Sequence, residues 1–242
     1  MSQQKKYRIA DVDFEMHYES DYLKQLCTDY EIDPQLTPEF VIQVSENDME
    51  AERQKSEEKV PEYIYESLAV YRKLCEEMID HDCFLFHCSA VAVDGKAYLF
   101  AAPSGTGKST HTRMWRQYFG TRAVMINDDK PLIQVKENVI YVCGTPWCGK
   151  HGIQTNQKMP IQGICILRRG AENTIRRLTP IEGYPELYRQ TYRPTEKREK
   201  MLKTLALLKQ VTERIPLYEM HCNISEEAAE LAWNTMKVQE QK

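Results

Sequence analysis

Apolar and polar residues follow two different periods along this chain, and the two periods predict both strands and helices. Between residues 6 and 18 apolar residues alternate with polar ones, which predicts a half-buried strand. A short helix around 20–30 and a strand at 39–44 are predicted to follow. The almost wholly charged or polar segment 46–59 favours an exposed helix or loop, and a mobile connector is the alternative.

From Pro61 the apolar residues recur at three- and four-residue steps, which predicts an amphipathic helix. Two apolar runs follow, and the Asp94-Gly95 turn between them predicts a β-hairpin. The other predicted elements are strands at 123–127, 132–135, 139–143 and 161–167, and helices at 109–118, about 195–213 and 225–238, with Ser225 as the last N-cap. The pattern therefore predicts an α/β fold with a β-rich middle. We expect an N-terminal strand and helix extension over 1–60, packed on or continuous with the core, and a main domain over 61–242.

Composition narrows the class of protein. The chain has 242 residues, of which 42% are hydrophobic and 28% charged, as in a soluble protein with a substantial core. Its formal net charge of −4 does not favour nucleic acid or an anionic membrane as a partner. No apolar run is long enough to span a bilayer, and the N-terminus lacks a signal-peptide pattern, so we expect a cytoplasmic protein. The eight cysteines are then expected to be buried thiols, with a zinc site at Cys83/Cys88 and Cys143/Cys148 as the alternative.

The stretch AAPSGTGKSTHTRMW, residues 101–115, has the pattern of a phosphate-binding loop between a strand and a helix. The usual pattern is G-x-x-x-x-G-K-[ST], and here Ala102 takes the first glycine position. Glycines let the backbone turn its N–H groups toward phosphate oxygens, the lysine supplies a positive charge, and the serine hydroxyl can bind Mg²⁺. The predicted nucleotide-binding residues are Ser104, Gly105, Thr106, Gly107, Lys108, Ser109 and Thr110. The alternative is a glycine-rich turn whose lysine is merely solvated.

Two further elements could complete a catalytic site. Asp128 and Asp129 end the apolar strand AVMI, where a carboxylate can reach a metal ion on the nucleotide. The alternative is an ordinary turn before Lys130-Pro131. His87 is predicted on the strand before the phosphate loop, where a histidine taken alone is usually a core residue.

The order of these motifs resembles the catalytic domain of HPr kinase/phosphorylase: a histidine in an apolar strand, a hairpin, the loop S-G-T-G-K-S, then a strand ending in two aspartates. The resemblance covers residues 84–170 and, more loosely, 60–235. The wider superfamily includes ATP-dependent phosphoenolpyruvate carboxykinase, whose loop also contains S-G-T-G-K. The resemblance implies a β-rich P-loop domain of the HPr-kinase and carboxykinase type, with flanking helices, that uses ATP and Mg²⁺. It also implies a tendency to form homo-oligomers.

The resemblance also implies roles for individual residues. His87 matches the family histidine beside the reacting phosphate, and Asp128 the general base that acts on a serine hydroxyl, although Asp129 could be the base instead. Ser109 and the other aspartate, Asp129, would then hold Mg²⁺. The related loop of HPr kinase carries an arginine near the transferred phosphate. In this chain Lys150 or His151 could replace that arginine as a catalytic cation, or both could be solvated.

Three groups of basic residues have less specific patterns. Arg113 and Arg116 on the helix after the loop could meet an acidic partner, but a solvated helix face is favoured. Arg168 and Arg169 could contact the nucleotide or simply end a strand. The basic, tyrosine-rich stretch 184–200 could be a lid or a docking surface, and an exposed linker is the plainer interpretation.

The sequence thus predicts a Mg-ATP-dependent kinase that transfers the γ-phosphate to the serine hydroxyl of a peptide, a protein or a small serine-like molecule. Three alternatives remain: a kinase for another small metabolite, an enzyme for the phosphate-dependent reversal of phosphorylation, and a nucleotide-binding sensor or scaffold with little turnover.

Overall fold

The alternating N-terminal segment forms a β-hairpin in the structure, a computed structural model that describes residues 3–237. Strands β1 (Gln3–Ile9) and β2 (Val12–Tyr18) pair in antiparallel register, where one continuous strand was predicted. Ala10 and Asp11 between them have φ values of 54° and 62°, so both lie in the left-handed region that such a tight turn requires. The prediction failed here because the turn contains neither glycine nor asparagine.

The rest of the N-terminal region agrees with the pattern in element type. Its further elements are α1 (Asp21–Leu26), β3 (Phe40–Gln43), α2 (Glu46–Lys55) and α3 (Glu62–Met78). Strand β3 pairs in parallel with β2 and completes a three-stranded sheet in the order β1-β2-β3. The polar segment after residue 45 is helical, because Ser45 and Asp48 form a reciprocal capping box at the start of α2.

The chain divides into two compact units at His81/Asp82. Helix α3 belongs to the first unit, since it packs on α1, α2 and β3 and buries Val70, Leu74 and Met78. The boundary expected from the sequence lay instead before this helix, at residue 60.

The second unit is built on a larger sheet. Its strands are β4 (Cys83–Leu85), β5 (Ser89–Val93), β6 (Lys96–Ala101), β7 (Ala123–Asn127), β8 (Leu132–Val135), β9 (Ile140–Cys143), β10 (Lys158–Arg169), β11 (Thr174–Leu178) and β12 (Leu217–Cys222). Its helices are α4 (Lys108–Phe119), α5 (Pro180–Gln190), α6 (Arg198–Arg214) and α7 (Glu226–Met236). Within residues 3–237 the nine strands follow the order β4-β8-β9-β10-β6-β5-β7, with β12 beside β10 and β11 beside β12. The predicted mixed α/β fold with a β-rich centre is confirmed.

Helices cover both faces of this sheet, and the alternation of side chains along the central strands explains why. On β10, Ile164 and Ile166 join the core cluster that contains Leu187 of α5 and Leu207 of α6. Their neighbours on the same strand, Cys165 and Leu167, join a second cluster under α4 and α7. The central strands are therefore apolar on both sides, as is typical of a sheet between two helical layers.

Strand directions bring the chemically interesting segments to one edge of the sheet. Strand β10 is parallel to β6 and to β12, while β7 and β6 are both antiparallel to β5 and so run in the same direction as each other. The carboxyl ends of β6, β7, β10 and β12 therefore lie at the same edge, which is where ligands bind in open α/β sheets.

Several predictions differ from the structure in this unit. His87 is not within a strand but in the short break between β4 and β5. In the stretch 184–200, residues 184–190 are helical, because α5 extends to Gln190 from a capping box formed by Thr179 and Glu182, and residues 198–200 already belong to α6. Strands β11 and β12 were not predicted at all, and residue 238 of the last predicted helix lies outside the described residues. Among residues 3–237, no helix is both long enough and apolar enough to cross a membrane.

Candidate functional site

The predicted phosphate loop connects β6 to α4 and has the backbone conformation that its glycines allow. Gly105 and Gly107 have φ values of 75° and 122°, in the region that side chains with a Cβ rarely adopt. Helix α4 begins at Lys108, and no side chain accepts a hydrogen bond at its N-cap, Gly107. The first N–H groups of α4 are therefore available to an anion held in the loop, and the helix dipole favours that anion.

The lysine of the loop folds back across it, since Lys108 Nζ donates a hydrogen bond to the Ala102 carbonyl at 3.0 Å. Ala102 itself is only 1% exposed and packs in the core cluster that contains Trp115. Its φ is not positive, so this position does not require glycine. The departure from the usual pattern is therefore accommodated by core packing and does not distort the loop.

Asp128 lies beside the start of α4, where it and Ser109 line one cavity of about 110 Å³. The carboxylate is 4% exposed, and its Oδ1 accepts a hydrogen bond from Ser89 Oγ at 2.8 Å. Ser89 Oγ also lies 2.8 Å from Thr112 Oγ1, which links β5, β7 and α4 at this point. Sequence analysis did not single out Ser89, because its partner Asp128 is 39 residues away.

His87 lies next to the other aspartate of the pair, Asp129. Its ring makes a hydrogen bond to the Asp129 backbone, and the charges of Asp129, Lys130 and Lys108 all act on it. Burial lowers the pKa of His87, and the two lysines lower it further, although the Asp129 carboxylate opposes them. His87 is therefore neutral at pH 7, with one ring nitrogen able to accept a proton.

Asn127 holds the turn that carries both aspartates. Its Oδ1 accepts hydrogen bonds from the backbone N–H groups of Asp129, at 2.8 Å, and Lys130, at 2.7 Å. Its Nδ2 donates to the carbonyls of Thr145 and Trp147, each at 3.0 Å. This fully buried amide fixes the aspartates and the following loop relative to each other. Sequence analysis had treated it only as the end of a strand.

The segment 144–152 packs on the aspartate turn. At Gly144 there is no room for a side chain, since a Cβ would lie 1.9 Å from the Thr155 carbonyl oxygen. At Gly149 a Cβ would lie 3.2 Å from Asp128 Oδ2. Lys150 and His151 are both exposed, and of these two candidate cations it is His151 that lines the cavity that contains Asp128.

A larger cavity of about 470 Å³ lies on the other side of the phosphate loop. It is lined by the loop, by Met114 and Leu167, and by the segment after β12 with Ile224. The two arginines at the end of β10 have different partners here, as expected for neighbouring residues of a strand, whose side chains alternate between its two faces. Arg169 donates to the loop carbonyl of Gly105 at 2.5 Å, whereas Arg168 pairs with Glu186 and Glu219.

Comparison with known proteins gives similarity in fold and no family assignment. No family model matches the chain, and no curated protein matches it. Among solved structures, the HPr(Ser) kinase/phosphatase from Coxiella burnetii is 10% identical, and the match covers 62% of this chain and 95% of that chain, with a TM-score of 0.33. A similarity of this level does not assign a function, so function has to be inferred from the site.

The side chains at this edge suit a nucleotide and a hard metal ion. The Ser109 hydroxyl and the two carboxylates are oxygen ligands, which Mg²⁺ prefers, and it commonly takes only one or two of them together with phosphate oxygens. By contrast, among the described residues no three side chains of histidine, cysteine, aspartate or glutamate form a metal-binding group, so the zinc alternative gains no support.

Proposed function

We propose that this protein is a Mg-ATP-dependent phosphotransferase that moves the γ-phosphate of ATP to a serine-type hydroxyl. One observation carries the proposal: the phosphate loop, the aspartate pair and His87 converge at the same edge of the sheet. A loop that only held phosphate would not require a buried carboxylate and a neutral histidine beside it. Phosphoryl transfer requires such groups, because it depends on positioning, charge neutralisation and removal of one proton.

The phosphate loop would hold the triphosphate. Backbone N–H groups of residues 104, 105 and 107–109 would cradle the phosphate oxygens, since that of Thr106 donates to the Pro103 carbonyl. Lys108 would leave the Ala102 carbonyl to bind the β- and γ-phosphates. The base of the nucleotide would occupy the cavity of about 470 Å³, whose wall includes the apolar side chains of Met114 and Leu167.

Ser109 and Asp128 would hold the metal ion, because they line the same small cavity next to the loop. The Ser89 hydrogen bond occupies Asp128 Oδ1 and leaves Oδ2 for the ion. Bound Mg²⁺ would neutralise charge on the phosphates during transfer. This assignment exchanges the two aspartate roles implied by the sequence resemblance, in which Asp129 was the metal ligand and Asp128 the base.

Asp129 and His87 would together remove the proton. As the acceptor oxygen forms its bond to phosphorus and the bond to the ADP oxygen breaks, the hydroxyl proton would pass to the Asp129 carboxylate. His87, neutral and hydrogen bonded to the Asp129 backbone, would orient this group. His151, which lines the cavity, is better placed than Lys150 to contact the acceptor.

The test is transfer of labelled γ-phosphate from Mg-ATP to free serine and to a pool of serine-containing peptides. Lys108→Ala should weaken nucleotide binding by roughly 10- to 100-fold, the effect of losing charged hydrogen bonds. Asp129→Asn should keep nucleotide binding and lose transfer by roughly 10²- to 10⁴-fold. Asp128→Asn should raise the Mg²⁺ concentration needed for half-maximal activity. Lys96→Ala, at an exposed position at the start of β6, is the matched control and should behave as the native protein.

The outcomes distinguish the proposed kinase from its alternatives. Label on an acceptor that disappears in Asp129→Asn but not in Lys96→Ala supports the kinase. If the native protein binds Mg-ATP tightly but transfers phosphate to no acceptor, and neither aspartate substitution changes that binding, the protein is instead a nucleotide sensor. If the native protein does not bind Mg-ATP at all, the proposal is rejected.

A further inference from the structure

Two arginines of α4 extend the candidate site beyond the nucleotide. Arg113 and Arg116 line the cavity of about 110 Å³ that contains Ser109 and Asp128, and His151 lines it from the facing loop. Sequence analysis favoured a solvated helix face for both arginines. In the structure Arg113 is indeed exposed and Arg116 is half-buried, and both also border this cavity.

Neither arginine is neutralised within residues 3–237. Arg122, just beyond the end of the same helix, pairs with Asp94 at 2.5 Å, whereas no acid pairs with Arg113 or Arg116 in the described part of the chain. The Arg116 Nε–H is also buried and has no acceptor there. A buried N–H group normally has a hydrogen-bond acceptor, so this one leaves a position where a ligand oxygen can accept.

The helix geometry directs these cations toward the reaction centre. Arg113 is four residues and Arg116 seven residues after Ser109, which places their Cα atoms about 6 Å and about 10 Å further along the helix axis. Side chains on a helix lean toward its N-terminus, which is consistent with both arginines lining the same cavity as Ser109. An anion bound by them would thus lie within a few atoms of the transferred phosphate.

The nucleotide cannot be this second anion if its phosphates occupy the loop and the N-terminus of α4. From this arrangement we propose that the acceptor is a small hydroxy acid of about the size of serine, whose carboxylate is bound by Arg113 and Arg116 while its hydroxyl points past the metal ligands toward the transferred phosphate and the Asp129 carboxylate. A planar carboxylate matches the two-pronged donor geometry of a guanidinium group. Met125 and Ile153 close the cavity with apolar walls, which leaves little room for a peptide chain on both sides of the serine. This inference rests on the proposed function and specifies its substrate class.

The test compares L-serine, L-serinamide and a capped peptide with an internal serine as acceptors. Serinamide keeps the hydroxyl and replaces the carboxylate by a neutral amide. We expect the native protein to prefer serine over serinamide by roughly 10- to 100-fold in kcat/KM, as expected for the loss of charged hydrogen bonds. Arg116→Gln should raise the KM for serine by a similar factor and abolish the preference for serine over serinamide, while the KM for ATP stays unchanged. Arg116→Lys should restore part of that preference.

A binding measurement keeps the test independent of turnover. Calorimetry with L-serine, in the presence of Mg²⁺ and a non-hydrolysable ATP analogue, should detect binding to the native protein and to Arg122→Gln but not to Arg116→Gln. Arg122→Gln is the matched control, because this arginine pairs with Asp94 away from the cavity. Affinity for the ATP analogue should be equal in all three proteins, which shows that each is folded.

The results separate this inference from the proposed function. If serine and serinamide are equal acceptors, the inference is wrong and the kinase function stands. The same holds if the internal-serine peptide is a better acceptor than serine and Arg116→Gln phosphorylates it as well as the native protein does. If the analogue binds but serine does not, the inference again fails alone. Failure of the native protein to bind the analogue would reject the proposed function and the inference with it.

Discussion

The buried amide of Asn127 gives the sharpest prediction about how the site is held together. Replacing it by alanine removes two hydrogen bonds accepted from the aspartate turn and the donations to the segment at Thr145 and Trp147. We expect Asn127→Ala to destabilise the second unit and to reduce phosphoryl transfer more than it reduces nucleotide binding, because the aspartates lose their fixed position while the phosphate loop does not.

The size of the effect follows from the partners that are left behind. The N–H groups of Asp129 and Lys130 belong to partly buried residues, so water can replace the lost oxygen at a modest cost. Trp147 O keeps a second donor, the Thr145 hydroxyl, at 2.9 Å. The Thr145 carbonyl, in a fully buried residue, is left without the Asn127 donor. The orphaned buried carbonyl costs about 1–3 kcal/mol. The other three lost hydrogen bonds, whose partners find water or a second donor, cost less than the usual value of about 1 kcal/mol each, so we expect a total loss of about 3 kcal/mol in the free energy of unfolding.

Urea unfolding followed by tryptophan fluorescence measures this loss in the right part of the chain. All three tryptophans, Trp115, Trp147 and Trp233, lie in the second unit, so the signal reports that unit alone. The matched control is Asn138→Ala at an exposed turn, which should change stability by less than about 0.5 kcal/mol.

A second substitution separates the two halves of the amide. Asn127→Asp keeps an acceptor for the turn but places an anionic oxygen where Nδ2 now donates to two carbonyls. It should be at least as destabilising as Asn127→Ala at pH 7 and partly recover at low pH, where a protonated carboxyl can donate. If Asn127→Ala costs less than about 1 kcal/mol and transfer is unchanged, the amide does not position the aspartates and this reasoning is refuted.

Three further predictions test other features of the second unit. Burial lowers the pKa of His111 to about 4, so this histidine stays neutral in the folded protein at pH 5. In the unfolded chain it binds a proton below about pH 6.5. The free energy of unfolding should therefore fall by about 2 kcal/mol between pH 7.5 and pH 5. His111→Gln, which can still accept the Trp115 hydrogen bond, should remove that part of the pH dependence in urea titrations, and an unchanged slope would refute the assignment. Ala102→Gly should cost about 1 kcal/mol without tightening ATP binding, and a clear gain in affinity would show that the missing glycine limits the loop. Gly144→Ala should destabilise by more than about 2 kcal/mol, because its Cβ would overlap the Thr155 carbonyl, and near-native unfolding would contradict this close approach.

Sequence reasoning succeeded where structure is determined locally. Gly105 and Gly107 are required by the backbone of the loop itself, and the Asp94-Gly95 turn by the hairpin that it closes. Ser225 was identified as an N-cap, and it accepts the Ala228 N–H in the structure. In each case the residues that interact are within a few positions of each other.

The sequence-based predictions failed where contacts with a distant part of the chain determine the local structure. Helix α5 was missed because Gly183 and Pro185 are poor helix residues. Gly183 lets α5 pack closely on β12, since a Cβ there would lie 2.3 Å from Leu217 Cδ1. Ser89 and Asn127 have no pattern of their own. They become important only when the fold brings them to Asp128 and to Thr145.

The charges of the site show why the overall composition was a poor guide to its ligand. The chain has a formal net charge of −4, which by itself would repel a triphosphate. Around the candidate site, however, Lys108, Lys130 and the unpaired Arg113 and Arg116 outnumber the two aspartates. Charges further away than about 8–10 Å are largely screened at physiological ionic strength, so this local excess of positive charge decides what is attracted. An excess that is divided between the loop and the next two turns of α4 fits two anionic partners at once, the nucleotide and an acid-bearing acceptor.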